Sequence, residues 1–346
     1  MSPKAIVAMS GGVDSSVAAA LMLEQGYDCT GITLMLYPNS GPAGIAAAQA
    51  VALRLGIPHR VLDFTHEFDQ QVIRRFIETY ERGDTPNPCI DCNRSIKFNL
   101  HMLRAQQPGF DCLATGHYAR IELDAASGRF LLRKAADPKK DQSYVLYSLN
   151  QEQLEYARFP LGELTKQQVR HIAEDRHLAN NAAAESQDIC FVPDGNYGGF
   201  IESYTGRTWP PGNIIDHEGT IIGRHRGIIR YTIGQRRGLG VAANMPVYVA
   251  EKSAAANTVT LGPDSSLYKK CLTAANINLI ACAHMDKPMR VSVKTRYLQE
   301  EQPAAAEQTG EDELRIEFDS PQRAITPGQA AVLYDGDIVV GGGTIV

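Results

Sequence analysis

The stretch KAIVAMSGGVDSSVAAALMLEQG, residues 4–26, reads as strand, loop and helix in immediate succession. Lys4 to Met9 is an apolar run of strand length, and Ser15 to Gln25 carries a helical apolar face that stops at Gly26. A strand that feeds through a glycine-rich loop into a helix is the opening unit of a parallel sheet. The alternation continues with strand Tyr27 to Leu36, helix Ala43 to Leu55 stopped at Gly56, strand His59 to Phe64 and helix Glu67 to Glu81. Gly83 to Cys92 is turn-rich, with Pro86 and Pro88 set against helix. A strand at Cys112 to Thr115, a hairpin of Ala119 to Leu123 with Arg129 to Lys134, and helices Gln151 to Arg158 and Lys166 to Arg176 complete the pattern. The expected fold class is α/β, with a doubly wound parallel sheet over residues 1–195.

Beyond Gly195 the texture changes to short β runs with glycine-centred turns. Asn213 to His217 and Thr220 to Ile222 flank Glu218-Gly219, and Pro246 to Glu251 pairs in pattern with Thr258 to Gly262. From Leu272 the runs Met289 to Tyr297, Glu313 to Phe318, Ala330 to Tyr334 and Ile338 to Ile345 follow, with Asp335-Gly336 as a hairpin signal. The expectation is a small linking domain at 196–270 and a C-terminal β-barrel at 271–346. The alanine-rich, acidic stretch from Pro303 to Glu313 reads as a solvated loop, and no internal repeat is visible.

A chain of 346 residues suggests two or three domains at roughly 150 residues each. Its 44% hydrophobic and 21% charged content is that of a globular protein and excludes a disordered, collagenous or coiled-coil chain. No apolar run approaches the roughly 18 residues of a membrane helix, and Ala5 to Met9 is too short for a secretory leader, so a cytoplasmic protein without a membrane partner is expected. The net charge of −5 means that any nucleic-acid site must be a local basic patch. The best such patch is Arg224 to Arg237, with arginines at 224, 226, 230, 236 and 237, no carboxylate, and Tyr231 placed to stack on a base.

Ser10-Gly11-Gly12-Val13-Asp14-Ser15-Ser16 lies where backbone N–H groups and the helix dipole favour an anion. The glycines let the chain wrap closely, the serines add hydroxyls, and Asp14 can hold the Mg²⁺ that accompanies a pyrophosphate. No lysine follows the glycines, so this is not a Walker A loop. The SGGxDS pattern instead resembles the pyrophosphate loop of the ATP-pyrophosphatase superfamily, whose members cleave ATP between the α and β phosphates and leave AMP on an acceptor.

Seven cysteines in a chain without a secretion signal read as free, catalytic or metal-binding. Cys89 and Cys92 sit three residues apart in TPNPCIDCNR, with Arg94 and Lys97 nearby to favour thiolate, and Cys190 lies in SQDICF. A CxxC alone is shared by redox pairs, zinc sites and iron–sulfur sites. A structural zinc would need a fourth ligand such as His117. Cys29, Cys112, Cys271 and Cys282 lie singly in apolar stretches and read as buried, inert thiols.

Taken together, SGGVDSS, TPNPxxxCNRxIKF, ATGHYAR (114–120), KDQSYVLYSL (140–149), SQDICF, YTIGQRRGLG (231–240), VKTRY (293–297) and TPGQ (326–329) resemble the tRNA-specific 2-thiouridylases over most of the chain and in order. The resemblance implies ATP-dependent adenylation of the C2 oxygen of the wobble uridine, position 34, of a tRNA, followed by its replacement with sulfur. A carbonyl oxygen leaves readily only once it carries AMP, and sulfur must arrive on a soft thiolate or metal.

The same resemblance implies that Ala8, Met9, Ser10, Gly11, Gly12, Val13, Asp14, Ser15, Met35 and Gly116 contact ATP. Asn87, Pro88 and Cys89 would face the flipped target base. His117, Lys140, Asp141, Gln142, Arg296, Tyr297 and Gln329 would contact tRNA. Cys92 would be the nucleophile and Cys190 the persulfide carrier. The sulfur donor would be a protein such as a cysteine desulfurase or relay protein, or free sulfide.

One departure bears on the sulfur chemistry. Many family members carry Asp where this chain has Cys89, and the segment from Tyr37 to Ala48 is small and uncharged where a longer acidic stretch is expected. Three thiols, Cys89, Cys92 and Cys190, could ligate a [4Fe–4S] cluster with one iron open to hydrosulfide, the favoured reading of the missing Asp, while Asp91 taking over proton handling would account for it without a cluster. The alternatives are a cluster-free persulfide relay, another adenylating ligase with the same loop, or a non-catalytic RNA-binding module.

Overall fold

The computed structural model describes residues 2–37, 42–106, 108–178, 189–242 and 245–346. The first sheet is built from β1 (Lys4–Ala8), β2 (Asp28–Met35), β3 (His59–Asp63) and β4 (Cys112–Ala114). A hairpin, β5 (Arg120–Asp124) and β6 (Arg129–Arg133), intervenes before the short edge strand β7 (Ala157–Arg158). Its strand order is β3-β2-β1-β4-β7, with every pair parallel. Ile6, Val7, Ile32, Cys112 and Leu113 are fully buried because helices cover both faces, the usual condition of a parallel sheet. β1 lies between β2 and β4, so the winding direction reverses there and the carboxyl ends of β1 and β4 open a crevice. Helix α1 (Val13–Glu24) rises from that crevice, its Ser15 to Ala20 buried without a break. The small side chains there let the helix sit deep between its neighbours, among them helix α2 (Pro42–Leu55).

The middle unit is a four-stranded sheet of β8 (Gly212–Ile215), β9 (Ile221–His225), β10 (Tyr248–Ser253) and β11 (Thr258–Gly262), in the order β10-β11-β8-β9. The barrel follows as β12 (Tyr268–Leu279), β13 (Met289–Lys294), β14 (Gln302–Gly310), β15 (Glu313–Arg323), β16 (Ala330–Asp335) and β17 (Ile338–Ile345). These six strands run in the order β12-β15-β14-β13-β16-β17, and pairing of β12 with β17 closes the ring. In β15, Leu314, Ile316 and Phe318 point inward and Glu313, Arg315 and Glu317 outward, the alternation of a strand with one wet face.

Three local expectations need correction. The stretch around 303–310 is not a solvated loop: it is β14, where Ala304 and Ala306 are buried and small enough to let the barrel close. Pro88 does not exclude helix, because it occupies the first turn of Pro88–Cys92, where its missing N–H has no helical partner to lose. The hairpin β5–β6 forms where expected and joins the barrel sheet by pairing Arg133 with Ile338. The helix expected at 151–158 ends at Tyr156, and Ala157 and Arg158 form β7.

Candidate active site

The nucleotide loop lies at the carboxyl end of β1. Gly11 adopts φ +80°, and a Cβ there would fall 2.3 Å from the Gly44 carbonyl oxygen. Glycine is therefore required at 11 both by the backbone and by α2 against the loop. The Ser15 and Ser16 hydroxyls donate to the Gly12 carbonyl at 3.0 and 2.9 Å, and the Ser10 N–H donates to Ser15 Oγ at 3.2 Å. Gly12 caps α1 without a side chain, so no side chain of the cap occupies the N–H groups of its first turn. Gly116, after β4, approaches so closely that a Cβ would meet Ser15 N at 2.8 Å. Loop and Gly116 thus form one wall, with Ala8 ending β1 and Met35 ending β2.

Asp14 is occupied in a way the sequence did not disclose. Its two carboxylate oxygens accept from Lys166 Nζ at 2.7 and 2.8 Å, and the Tyr118 hydroxyl donates to Oδ1 at 2.7 Å. Lys166 begins the helix Lys166–Asp175, whose N-terminus is capped by Thr165 and Gln168. A single carboxylate suits Mg²⁺, which keeps water and substrate phosphate as its other ligands.

The second wall is the turn at 85–92. Asn87 Oδ1 accepts from the Cys89 N–H at 3.2 Å and caps the short helix Pro88–Cys92. On that helix Cys89 and Cys92 are three residues apart and share a face. The barrel holds the turn from behind: Gln329 Nε2 donates to the carbonyls of Thr85 and Pro86 at 2.8 and 3.1 Å, and the Thr85 N–H donates to the Pro327 carbonyl at 2.9 Å. Behind it a cavity of about 550 Å³ is lined by Arg75, Arg82, Asp91, Arg94 and barrel residues. Asp91 is paired to Arg94 at 2.8 Å and to Arg75 at 3.3 Å, yet desolvation outweighs both arginines and raises its pKa.

Cys92 is buried, and burial pushes its thiol up to about 12, with Lys97 opposing and the charges of Cys190, Cys89 and Asp91 adding. The thiols of Cys89 and Cys190 are likewise raised, mainly by desolvation, again opposed by Lys97. The expectation that Arg94 and Lys97 together favour thiolate is corrected: Arg94 is taken by Asp91, and desolvation outweighs Lys97. Cys89 and Cys190 reach the surface. The Tyr37 hydroxyl donates to the Cys190 carbonyl at 3.0 Å, and Phe191 packs edge-on against Phe68 and Phe76. Ser186 to Asp188 of the SQDICF motif, and 38–41 of the short segment after Met35, lie outside the described residues.

Among the described residues, no three His, Cys, Asp or Glu side chains come together as a group that could hold a metal ion. Cys89, Cys92 and Cys190 are near enough to feel one another's charge, and they do not form a group that could hold a single metal ion. His117 does not complete such a set either: its Nδ1 hydrogen-bonds Thr115 Oγ1 at 2.7 Å and its ring packs against both Phe98 and Phe159. Burial, then Lys97, holds the imidazole well below its usual pKa and therefore neutral. Cys29 and Cys112 are buried and raised to about 11 chiefly by desolvation, whereas Cys271 is exposed and Cys282 half-buried, against expectation. Both lie near strand or loop edges of the barrel unit, where one side of the chain is wet.

The residues assigned to tRNA by resemblance converge around the turn from three directions. Asp141 accepts from the Ala135 N–H at 3.0 Å, and Gln142 Oε1 accepts from the Tyr118 N–H at 3.0 Å, so both carboxamide and carboxylate shape the 134–143 loop. Lys140 lies on that loop. Arg296 donates to the Ile233 and Ala324 carbonyls and to Thr326 Oγ1 at 3.2, 2.9 and 2.7 Å, bridging the middle unit to the barrel. The Tyr297 hydroxyl donates to the Asp141 carbonyl at 3.3 Å, and its pKa is raised by burial, then by Asp141 and Cys89. In the basic stretch Arg224, Arg226, Arg236 and Arg237 are exposed with no ion pair among the described residues, while Arg230 is paired to Glu202. Tyr231 is buried against His225 and is not available to stack on a base, because the 228–231 turn packs its apolar side inward.

Three family models match in succession: a tRNA methyl transferase HUP domain at residues 3–194, a tRNA methyl transferase PRC-barrel domain at 198–263 and an aminomethyltransferase β-barrel domain at 269–345. Among curated relatives, a tRNA-specific 2-thiouridylase MnmA of Acetivibrio thermocellus is 47% identical over 99% of each chain. That of Clostridioides difficile is 45% identical over 100% of this chain and 98% of its own. That of Treponema denticola is 47% identical over 99% and 97% respectively. With the pyrophosphate-type loop, the paired cysteine turn and the closed barrel joined in one chain, this protein belongs to the tRNA-specific 2-thiouridylase family.

Proposed function

We propose that the protein is a tRNA-uridine 2-sulfurtransferase that uses ATP to replace the C2 oxygen of the wobble uridine, position 34. The observation that carries this reading is the uncapped start of α1 with the wrapped Ser10 to Ser15 loop, set in one crevice with Gly116. Such donors suit the phosphates of ATP, with Ala8, Met9 and Met35 lining the strand ends. Asp14 would take the Mg²⁺ that accompanies the nucleotide, an ion that would draw charge from the departing pyrophosphate.

In the first step the uridine O2 attacks the α-phosphorus, the bond to the β-phosphate oxygen breaks, and pyrophosphate leaves. The outer sulfur of a Cys190 persulfide then attacks C2, and AMP departs with the oxygen. The Cys92 thiol finally attacks the inner sulfur of Cys190, so a Cys92–Cys190 disulfide forms as the bond to the transferred sulfur breaks, and a dithiol reductant resets it. Cys190 is the thiol of this pair that reaches the surface, where a donor protein such as a cysteine desulfurase or relay protein can load it, and Cys92 is shielded from such exchange. Asn87, Pro88 and Cys89 would face the extruded base. His117, Lys140 to Gln142, Arg296, Tyr297 and Gln329 would hold tRNA around it. No step is routed through a [4Fe–4S] cluster; if one were bound, Cys89, Cys92 and Cys190 would be the residues to hold it.

The test is thiolation of a tRNA transcript with ATP, Mg²⁺ and a cysteine desulfurase charged with cysteine, read by nucleoside mass spectrometry. Wild-type protein should form 2-thiouridine at position 34 and release pyrophosphate. Cys92→Ala and Cys190→Ala should abolish thiolation while tRNA still binds; thiolation retained by either variant would remove that thiol from the relay.

A further inference from the structure

We propose that Lys166 is the resident cation of the nucleotide loop, a positioning residue that neutralises Asp14 so that the loop can accept a polyphosphate. The inference rests on the reading of that loop as the ATP site. Three observations carry it. First, Asp14 stands in the first turn of α1, whose N-terminal N–H groups carry no side-chain cap. An uncompensated carboxylate there would repel the phosphates those N–H groups would bind. Second, Lys166 reaches both Asp14 oxygens, at 2.7 and 2.8 Å, with its side chain only 11% exposed. Third, Lys166 opens its own helix, where the dipole disfavours a cation, so its position is not explained by the helix that carries it. The Tyr118 hydroxyl on Asp14 Oδ1 completes the clamp and fixes the direction of the carboxylate.

A partly buried pair of this kind makes a prediction about sign that a merely structural ion pair does not. Removing Lys166 takes a positive charge from beside the loop, and removing Asp14 takes a negative one. Lys166→Ala should weaken binding of ATP about tenfold or more in EDTA, where no metal can replace the lost cation. Asp14→Asn should tighten metal-free ATP, and Asp14→Asn with Lys166→Ala should return near the wild-type value because the two charge changes cancel. Lys166→Arg, which keeps the charge, should retain more than half of the metal-free affinity.

The measurement is isothermal titration of each full-length variant with ATP, in EDTA and again in Mg²⁺, alongside its thermal midpoint and its tRNA affinity. Equal metal-free ATP affinity in wild type and Lys166→Ala, with both folded, would overturn the proposal and leave the ATP reading standing. Affinities that fall in the single and double variants alike would also overturn it, since that pattern reports damaged packing rather than charge. Failure of wild-type protein to bind ATP under any condition would overturn the ATP reading and this inference with it.

Discussion

The Gln329 amide donates to the Thr85 carbonyl at 2.8 Å, while the Thr85 N–H returns a bond to Pro327 at 2.9 Å, so two motifs 244 residues apart share one reciprocal clasp. The turn that presents Asn87, Cys89 and Cys92 is therefore finished by the barrel. Gly328 lies at its centre with φ +87°, and a Cβ there would stand 2.9 Å from both Thr85 N and Thr85 O. Gly328→Ala should cost about 2 kcal/mol or more of stability, because the backbone is strained for any other residue and the clasp cannot give way. Urea unfolding measures this directly. The same variant should lose thiolation more steeply than Gln329→Ala, which removes two hydrogen bonds and leaves the Thr85 to Pro327 backbone bond in place. A Gly328→Ala protein as stable and active as wild type would mean the clasp does not position the turn.

Arg296 meets three oxygens on two segments, one in the middle unit and one in the barrel, and burial, then Arg323, lowers its pKa. Removing it leaves Ile233, Ala324 and Thr326 oxygens short of a donor at the joint between middle unit and barrel. Arg296→Ala should destabilise by about 1–3 kcal/mol. Arg296→Lys should recover only part, since its ammonium ends one bond short of Nη2, the nitrogen that makes all three contacts. If chemical denaturation finds Arg296→Ala unchanged while tRNA affinity falls, the residue serves the nucleic acid alone.

How much of this could be seen in the sequence follows the range of the interactions. The strand, loop and helix at 4–26 were legible because their signal is local: an apolar run, two glycines and a helical stripe. The barrel was legible for the same reason wherever strands alternate, as in β15, and illegible at β14, where alanines carry little hydrophobic contrast yet are the residues small enough to pack there. Pro88 was misread because a proline says only that the preceding helix cannot continue, and the first turn is a permitted seat. Lys166 could not be found by spacing at all. It lies 152 residues from Asp14, and the ion pair exists only once α1 and the helix from Lys166 are packed side by side. Its one sequence-level hint is a lysine in the first turn of a helix, where a carboxylate is the ordinary choice.

The four exposed arginines of the middle unit that form no ion pair among the described residues predict a salt signature. Replacing Arg224, Arg226, Arg236 and Arg237 with alanine should reduce the slope of log affinity against log salt by about 0.7–0.9 for each phosphate that is no longer neutralised. Arg230→Ala should alter the slope far less, because its guanidinium is paired to Glu202. Filter binding of tRNA across a salt series supplies the slopes. Equal slopes for wild type and the quadruple variant would place the RNA elsewhere.

Lys97 is the cation that opposes desolvation at Cys89, Cys92 and Cys190 alike, and it also bears on neutral His117. All three thiols have raised pKa values, so each is mainly protonated at neutral pH and its thiolate fraction grows as pH rises. Removing the cation raises those values further. Lys97→Gln should therefore slow iodoacetamide labelling of Cys190 at neutral pH and move its pH profile to higher pH, with the rate recovering in alkali. Cys92, raised to about 12 and buried, should label last in both proteins and should gain about tenfold in rate per pH unit across the neutral range. Peptide mass mapping of timed samples separates the three sites. An unshifted Cys190 profile in Lys97→Gln would show that the lysine does not tune the sulfur-carrying thiol, and early labelling of Cys92 would show that it opens to solvent faster than its burial implies.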